Sequence, residues 1–218
     1  FDSERLVIEA TRSKVVFIPS PNNPTGNSIS LKLVTELLAA GSIVVIDEAY
    51  IEFSTHESLV QLASATPRLI VLRTFSKWGG LAGLRIGYGV MHPETAQICM
   101  QAKQPYNIGI AAEVAALASL EDSDSLDEKA AIIVNERDRL AEEFQSLGWI
   151  NPWQSDASFL LCRLDGISGL ELRDRLRTEG IFTRYIAHPR LEDHLRLSIA
   201  TPEENNEVLR VLKEIGSE

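Results

Sequence analysis

Three clusters of polar residues could do chemistry, and each follows a run of apolar ones. The first is RTFSKWGG, which carries Arg73, Thr74, Ser76 and Lys77, with Arg85 eight residues beyond the lysine. Two hydroxyls and a guanidinium suit a phosphate, because arginine presents fork-like donors and keeps its charge. A lysine held near another cation and shielded from water loses its proton more easily and becomes a nucleophile. A lone lysine is ordinarily a solvated surface residue; Lys77 is set apart by its company. The second cluster is Asp47, Glu48, Ala49 and Tyr50. An acid at the end of an apolar strand is costly to bury unless it is paired. Such an acid can hold a metal in an ATPase or pair with a cationic ring nitrogen. The ATPase use requires G-x-x-x-x-G-K-[ST], and that string does not occur. The third cluster is SPNNPTG, residues 20–26, where Asn23 stands close to two prolines. Its composition is that of a turn, yet an amide on so restricted a backbone can donate to a fixed acceptor.

Phosphate ligands, a nucleophilic lysine and an acid for a ring nitrogen together fit pyridoxal 5′-phosphate. The elements that must position them can be read from periodicity. Residues 14–20 (KVVFIPS), 42–47 (SIVVID) and 69–74 (LIVLRT) are strand-sized apolar runs, and 87–91 (GYGVM) is a fourth candidate. Residues 30–40 form a helix behind a Ser30 cap, stopped by Gly41. Apolar strands alternating with helices predict a mostly parallel sheet covered on both faces. In such sheets ligands sit beyond the carboxyl ends of the strands, where all three clusters fall. Residues 93–103 and 110–120 read as helices, and the charged stretch 127–147 as a solvated connecting helix. Strands at 158–163, 181–185 and 195–199 and helices at 169–179 and 202–215 then predict a small α+β unit. The run EDSDS, residues 121–125, has linker composition. The expected domains are therefore 1–122, a partial cofactor-binding large domain, and 123–218, a connecting helix with the small domain.

Composition bounds the remaining choices. The chain has 218 residues, about one and a half typical domain lengths. Its 21 Lys and Arg against 31 Asp and Glu leave a net charge of −10, which disfavours nucleic acid, whose phosphates require a basic surface. Its apolar runs are too short to span a membrane. Two cysteines, Cys99 and Cys162, are too few for a disulfide framework or a metal cluster and suit a reducing compartment. The four histidines, His56, His92, His188 and His194, lack metal-ligand spacing and read as loop or surface residues. No metal is expected.

The strings SPNNPTG, VVIDEAYIEF and RTFSKWGGLAGLRIGYG resemble the fold-type I PLP-dependent aminotransferases, and among them the histidinol-phosphate aminotransferase family. AKQPYNIGIAAEVAALASL and LRLSIATPEEN extend the resemblance toward plant and photosynthetic bacterial forms. The resemblance implies an α/β fold: a PLP-dependent transferase large domain, here partial, with a small α+β domain. It implies that Lys77 carries the cofactor covalently and shuttles a proton. Asp47 would be buried against the pyridine nitrogen, Tyr50 and Asn23 would donate to the phenolate oxygen, and Ser76, Arg85 and Thr74 would hold the phosphate. Arg196 and Arg184 would bind substrate anions, with Asn107 near the substrate. The implied partners are L-histidinol phosphate, glutamate or 2-oxoglutarate, and a second copy in a homodimer. The implied compartment is the cytoplasm, or the plastid in a plant or alga. Family members carry an N-terminal portion that is expected to be missing, because the sequence begins at Phe1 and reaches the SPNNPTG loop within twenty residues. Alternatives are a same-fold enzyme acting on aromatic amino acids or decarboxylating threonine phosphate, and a truncated fragment that only packs or dimerises.

Overall fold

The computed structural model describes residues 2–217; Phe1, where the sequence begins, and Glu218 lie outside them. Its residues divide into two compact units. One runs to Asn22 and resumes over Ser28–Asp127; the other comprises Asn23–Asn27 and the chain from Glu128 onward.

The first unit is built on a four-stranded sheet in the order β1 (Val15–Pro19), β2 (Ile43–Asp47), β3 (Leu69–Thr74), β4 (Gly87–Met91). β1, β2 and β3 are parallel, and β4 returns antiparallel to β3. The three parallel strands match the apolar runs. Their core side chains, among them Ile18, Val44, Ile46, Leu69 and Val71, meet Leu33, Val34 and Leu37 of helix α2 (Leu31–Ala39). Ser30 caps α2 by accepting the Leu33 N–H at 3.2 Å. On the opposite face of edge strand β1, Val15 and Phe17 are exposed. A helix not expected from the sequence, α1 (Ser3–Ala10), precedes the sheet, and Asp2 caps it by accepting from Arg5 N at 3.1 Å. The fully buried Ser42 hydroxyl lies 2.6 Å from Ala10 O and 2.8 Å from Ser13 O, fixing the end of α1 against the start of β2.

Three helices follow the short helix α3 (Val60–Ala65): α4 (Pro93–Ala102), α5 (Ile110–Glu121) and α6 (Ser123–Ser146). The EDSDS run is not a linker. Only Asp122 separates α5 from α6, and the rest of the run is helical. Ser and Asp at that point belong to a helix start, where Asp124 in the first turn favours the positive end of the dipole. Nor is α6 a wholly solvated helix. It buries Ala130, Arg137, Leu140 and Phe144 at helical spacing, and the last two enter the core of the second unit.

That second core lies on an antiparallel sheet, β5 (Ile150–Pro152), β6 (Phe159–Leu164) and β7 (His194–Ser198), covered by α7 (Gly169–Thr178) and α8 (Pro202–Ile215). Thr201 and Glu204 form a reciprocal capping box at the start of α8. The predicted strand at 181–185 is absent: only Arg184 pairs, through an isolated bridge to Arg196. β5, in turn, is too short to carry a periodic signal. His194 is not a surface residue. It begins β7, is buried, accepts the Trp153 indole N–H at Nε2 (3.1 Å) and faces Asp193 Oδ1 through Nδ1 at 2.6 Å. No helix among the described residues is long and apolar enough to cross a membrane.

Two predictions follow from the packing. A Cβ on Gly169 would lie 2.0 Å from the His194 carbonyl oxygen, so α7 can approach β7 only through glycine. Gly169→Ala should cost about 3 kcal/mol and lower the urea midpoint accordingly; an unchanged midpoint contradicts this packing. Burial pushes the Cys162 thiol up, whereas Cys99 is exposed. A thiol reagent at about pH 8 should modify Cys99 in the native protein and Cys162 only after unfolding. Equal reaction rates at both would refute the buried placement.

Candidate active site

β2 and β3 run parallel in a register that sets Asp47 opposite Leu72, so both strands deliver their following residues to one edge. From β3 come Thr74, Ser76 and Lys77. The loop beyond is closed by Phe75 N–H to Ile86 O (3.2 Å) and Leu81 N–H to Phe75 O (2.9 Å). Phe75 is its anchor, buried with Ile86 and with Ala112 and Ala116 of α5. Glycine is required where the chain then turns back along β3, because a Cβ on Gly87 would stand 2.6 Å from Arg73 O.

Thr74, Ser76 and Arg85 lie together in this loop. Thr74 Oγ1 and Ser76 Oγ are 2.9 Å apart, and Thr74 Oγ1 accepts the Ser76 N–H at 3.1 Å. Arg85 donates from Nη1 to Ala82 O (2.8 Å) and reaches Ser76 Oγ at 3.5 Å. Arg85 holds a left-handed backbone, φ 53° and ψ 44°, the one non-glycine residue among those described with positive φ. That conformation costs about 1 kcal/mol or more and turns the guanidinium back over the loop. Lys77 is exposed, with its Nζ 5.3 Å from the centroid of the Tyr50 ring, while Tyr50 itself is buried. The donor set of two hydroxyls, a guanidinium and a nearby amine fits a phosphorylated group with a carbonyl that an amine can attack.

Asp47 departs from expectation. It is exposed and accepts the Ala49 N–H at 3.0 Å, and the buried acid at this strand end is its neighbour Glu48. Glu48 can be buried because it is paired. Its carboxylate accepts from Ser58 Oγ (2.6 Å) and Leu59 N (2.7 Å) and lies 3.5 Å from Arg73 Nη1. Arg73 Nη2 binds Glu52 Oε1 at 2.6 Å. Burial opposes the Arg73 charge, but the Glu52 hydrogen bond and the Glu52, Tyr88 and Glu48 charges outweigh it, so its pKa is raised. The sequence reading missed this triad. It emerges only with the register, which sets Glu48 and Arg73, of opposite charge, one position beyond the Asp47–Leu72 pair.

The second unit holds Arg184, Arg196 and Asn23. Arg184 and Arg196 are a hydrogen-bonded antiparallel pair, linked by N–H···O bonds of 3.1 and 3.0 Å. Side chains of such a pair share one face, where two like charges repel unless an anion lies between them. Arg196 also donates to Asn23 Oδ1 (2.8 Å) and lies over the Phe159 ring at 4.8 Å. Asn23 is thereby oriented, leaving its amide NH₂ available to donate. Asn107 lies in an exposed turn of the first unit, its Oδ1 3.4 Å from Lys103 Nζ. Among the described residues no group of three or more His, Cys, Asp or Glu is placed to hold a metal ion.

The chain is similar to known proteins. The Aminotransferase class I and II family profile matches residues 2–212. A histidinol-phosphate aminotransferase of Roseiflexus castenholzii is 45% identical over 96% of the chain, and a chloroplastic one of Nicotiana tabacum 37% identical over 97%. The chain spans only 57% and 52% of those relatives. The crystal structure of the histidinol-phosphate aminotransferase from Clostridium acetobutylicum matches with TM-score 0.90 and 31% identity, over 100% of this chain and 68% of its own. That from Sinorhizobium meliloti, in complex with pyridoxal-5′-phosphate, matches with TM-score 0.87 and 30% identity, over 99% of this chain and 61% of its own.

The left-handed backbone at Arg85 makes a separable prediction. Arg85→Gly should stay within about 0.5 kcal/mol of the parent in chemical denaturation, whereas Arg85→Val should lose about 1–2 kcal/mol. Equal stability of the two variants would show that the conformation carries no strain.

Proposed function

Because the chain belongs to the class I and II aminotransferase family, we propose that the protein is a histidinol-phosphate aminotransferase that uses pyridoxal 5′-phosphate. The amino group would pass between L-histidinol phosphate and 2-oxoglutarate. One observation carries the reading: Lys77 stands at a strand end with the Thr74, Ser76 and Arg85 donors beside it and Tyr50 beneath it. The fit to histidinol phosphate in particular is supported by the named relatives.

The chain's own residues divide the work. Thr74, Ser76 and Arg85 hold the cofactor phosphate through charge-assisted hydrogen bonds. Lys77 Nζ would hold the cofactor and would take the proton from the substrate Cα. The cofactor, when bound, supplies a ring that accepts the electron pair left at that carbon. Asp47 keeps the ring nitrogen protonated by its negative charge, and Tyr50 holds the ring oxygen. Arg196, oriented by Asn23, and Arg184 take the substrate anion. Arginine serves here because one substrate offers a phosphate and the other carboxylates, and a guanidinium binds both. A homodimer in the cytoplasm, or in the plastid of a plant or alga, completes the proposal.

The test uses the intact protein with L-histidinol phosphate and 2-oxoglutarate. Borohydride reduction and peptide mapping should place a pyridoxyl group on Lys77, and Lys77→Ala should slow turnover by more than about 10³-fold. A label on another lysine refutes the assignment. Arg196→Ala should raise KM for 2-oxoglutarate at least about tenfold while leaving cofactor affinity near that of the parent. Equal losses in both would move Arg196 from substrate binding to the fold.

A further inference from the structure

The Glu48–Arg73–Glu52 triad is not used by the chemistry above, and its stability does not account for it. All three side chains are largely buried, at 2%, 15% and 14% exposure. Glu52 Oε2 and Arg73 Nε are buried with no hydrogen-bond partner. Buried ions in imperfect geometry gain little or nothing over an apolar cluster of the same shape. What the triad does provide is a fixed distance. Glu48 directly follows Asp47, Glu52 is two residues after Tyr50, and Arg73 directly precedes Thr74. The planar fork of one guanidinium therefore joins two segments, the one that carries both the acid and the tyrosine and the one that carries the lysine loop. Its anchor is firm, since Glu48 also accepts from Ser58 Oγ and the Leu59 N–H, and Ser58 Oγ in turn accepts from Arg73 Nη1 at 3.3 Å. Tyr88, opposite Arg73 in the β3–β4 ladder, is the remaining titratable group facing it.

We propose that Arg73 is a positioning residue: by tying Glu48 to Glu52 it sets the spacing of Asp47, Tyr50 and the Thr74–Lys77 loop. The part of this that concerns cofactor affinity rests on the function proposed above; the part that concerns spacing does not.

Arg73→Met alone would strand two buried carboxylates, so the decisive variant is the triple Glu48→Gln, Glu52→Gln, Arg73→Met in the intact protein. Amide hydrogen exchange without cofactor should speed up about tenfold or more over residues 47–53 and 72–78 while α2 keeps its parental rates. Affinity for added pyridoxal 5′-phosphate should fall at least about tenfold, and Arg73→Lys, which keeps the charge but not the fork, should fall less. Unchanged exchange in the two segments overturns the proposal, whatever happens to affinity. So does exchange that rises equally in α2, because that is general loosening. Selective loosening in a protein whose parent form binds no pyridoxal 5′-phosphate would uphold the spacing role and remove the cofactor reading instead.

Discussion

The parallel pairing of β2 with β3 is the constraint on which the lysine-bearing unit depends. Parallel strands end on the same side, so two segments far apart in sequence present their next residues together. Asp47 pairs with Leu72, and the residues that follow, Glu48 and Arg73, fall side by side with opposite charge. A slip of one residue would turn Val44 and Ile46 away from the core and separate these charges at once. The hydrophobic pattern of the strands and the polar geometry at their ends thus specify the same register.

Beyond that edge, the polypeptide uses two different means to hold its hydroxyl and guanidinium groups in place. In the loop after β3 the hydroxyls are fixed by short local hydrogen bonds, and Arg85 is aimed by its own backbone conformation. In the second unit Arg184 and Arg196 are joined by a cross-strand bridge, and Arg196 is held further by Asn23 and the Phe159 ring. A chain with net charge −10 has no long-range field to attract dianions.

Much of this was legible in the sequence. The three parallel strands are continuous apolar runs, and the lysine, hydroxyls and arginine stand where one of them ends. Ser30 and Gly41 mark the bounds of α2 for ordinary stereochemical reasons. What escaped was tertiary. Nothing local distinguishes Asp47 from Glu48, yet one is exposed and the other buried, because only the second meets Arg73 and Ser58. The charged face of α6 concealed an apolar stripe of Ala130, Leu140 and Phe144. His194 carried no sign of its burial, which depends on Trp153 forty-one residues before it. Residues 181–185 have strand composition, but only Arg184 finds a partner.

The segment Asn23–Asn27 has a consequence for how such a protein can be taken apart or recombined. It packs with the second unit while the chain on either side of it packs with the first. Gly26 adopts φ +78° where a Cβ would meet Ser155 Oγ at 2.3 Å, and its carbonyl accepts the Asp156 N–H at 2.8 Å. The backbone therefore passes between the units three times rather than once. A gene cut at the α6 division would yield a downstream piece lacking the strip that fills its own surface and orients Arg196. Modularity at the level of folding does not coincide here with modularity at the level of the reading frame, and a crossover that respects both must carry residues 23–27 along with the distant second half.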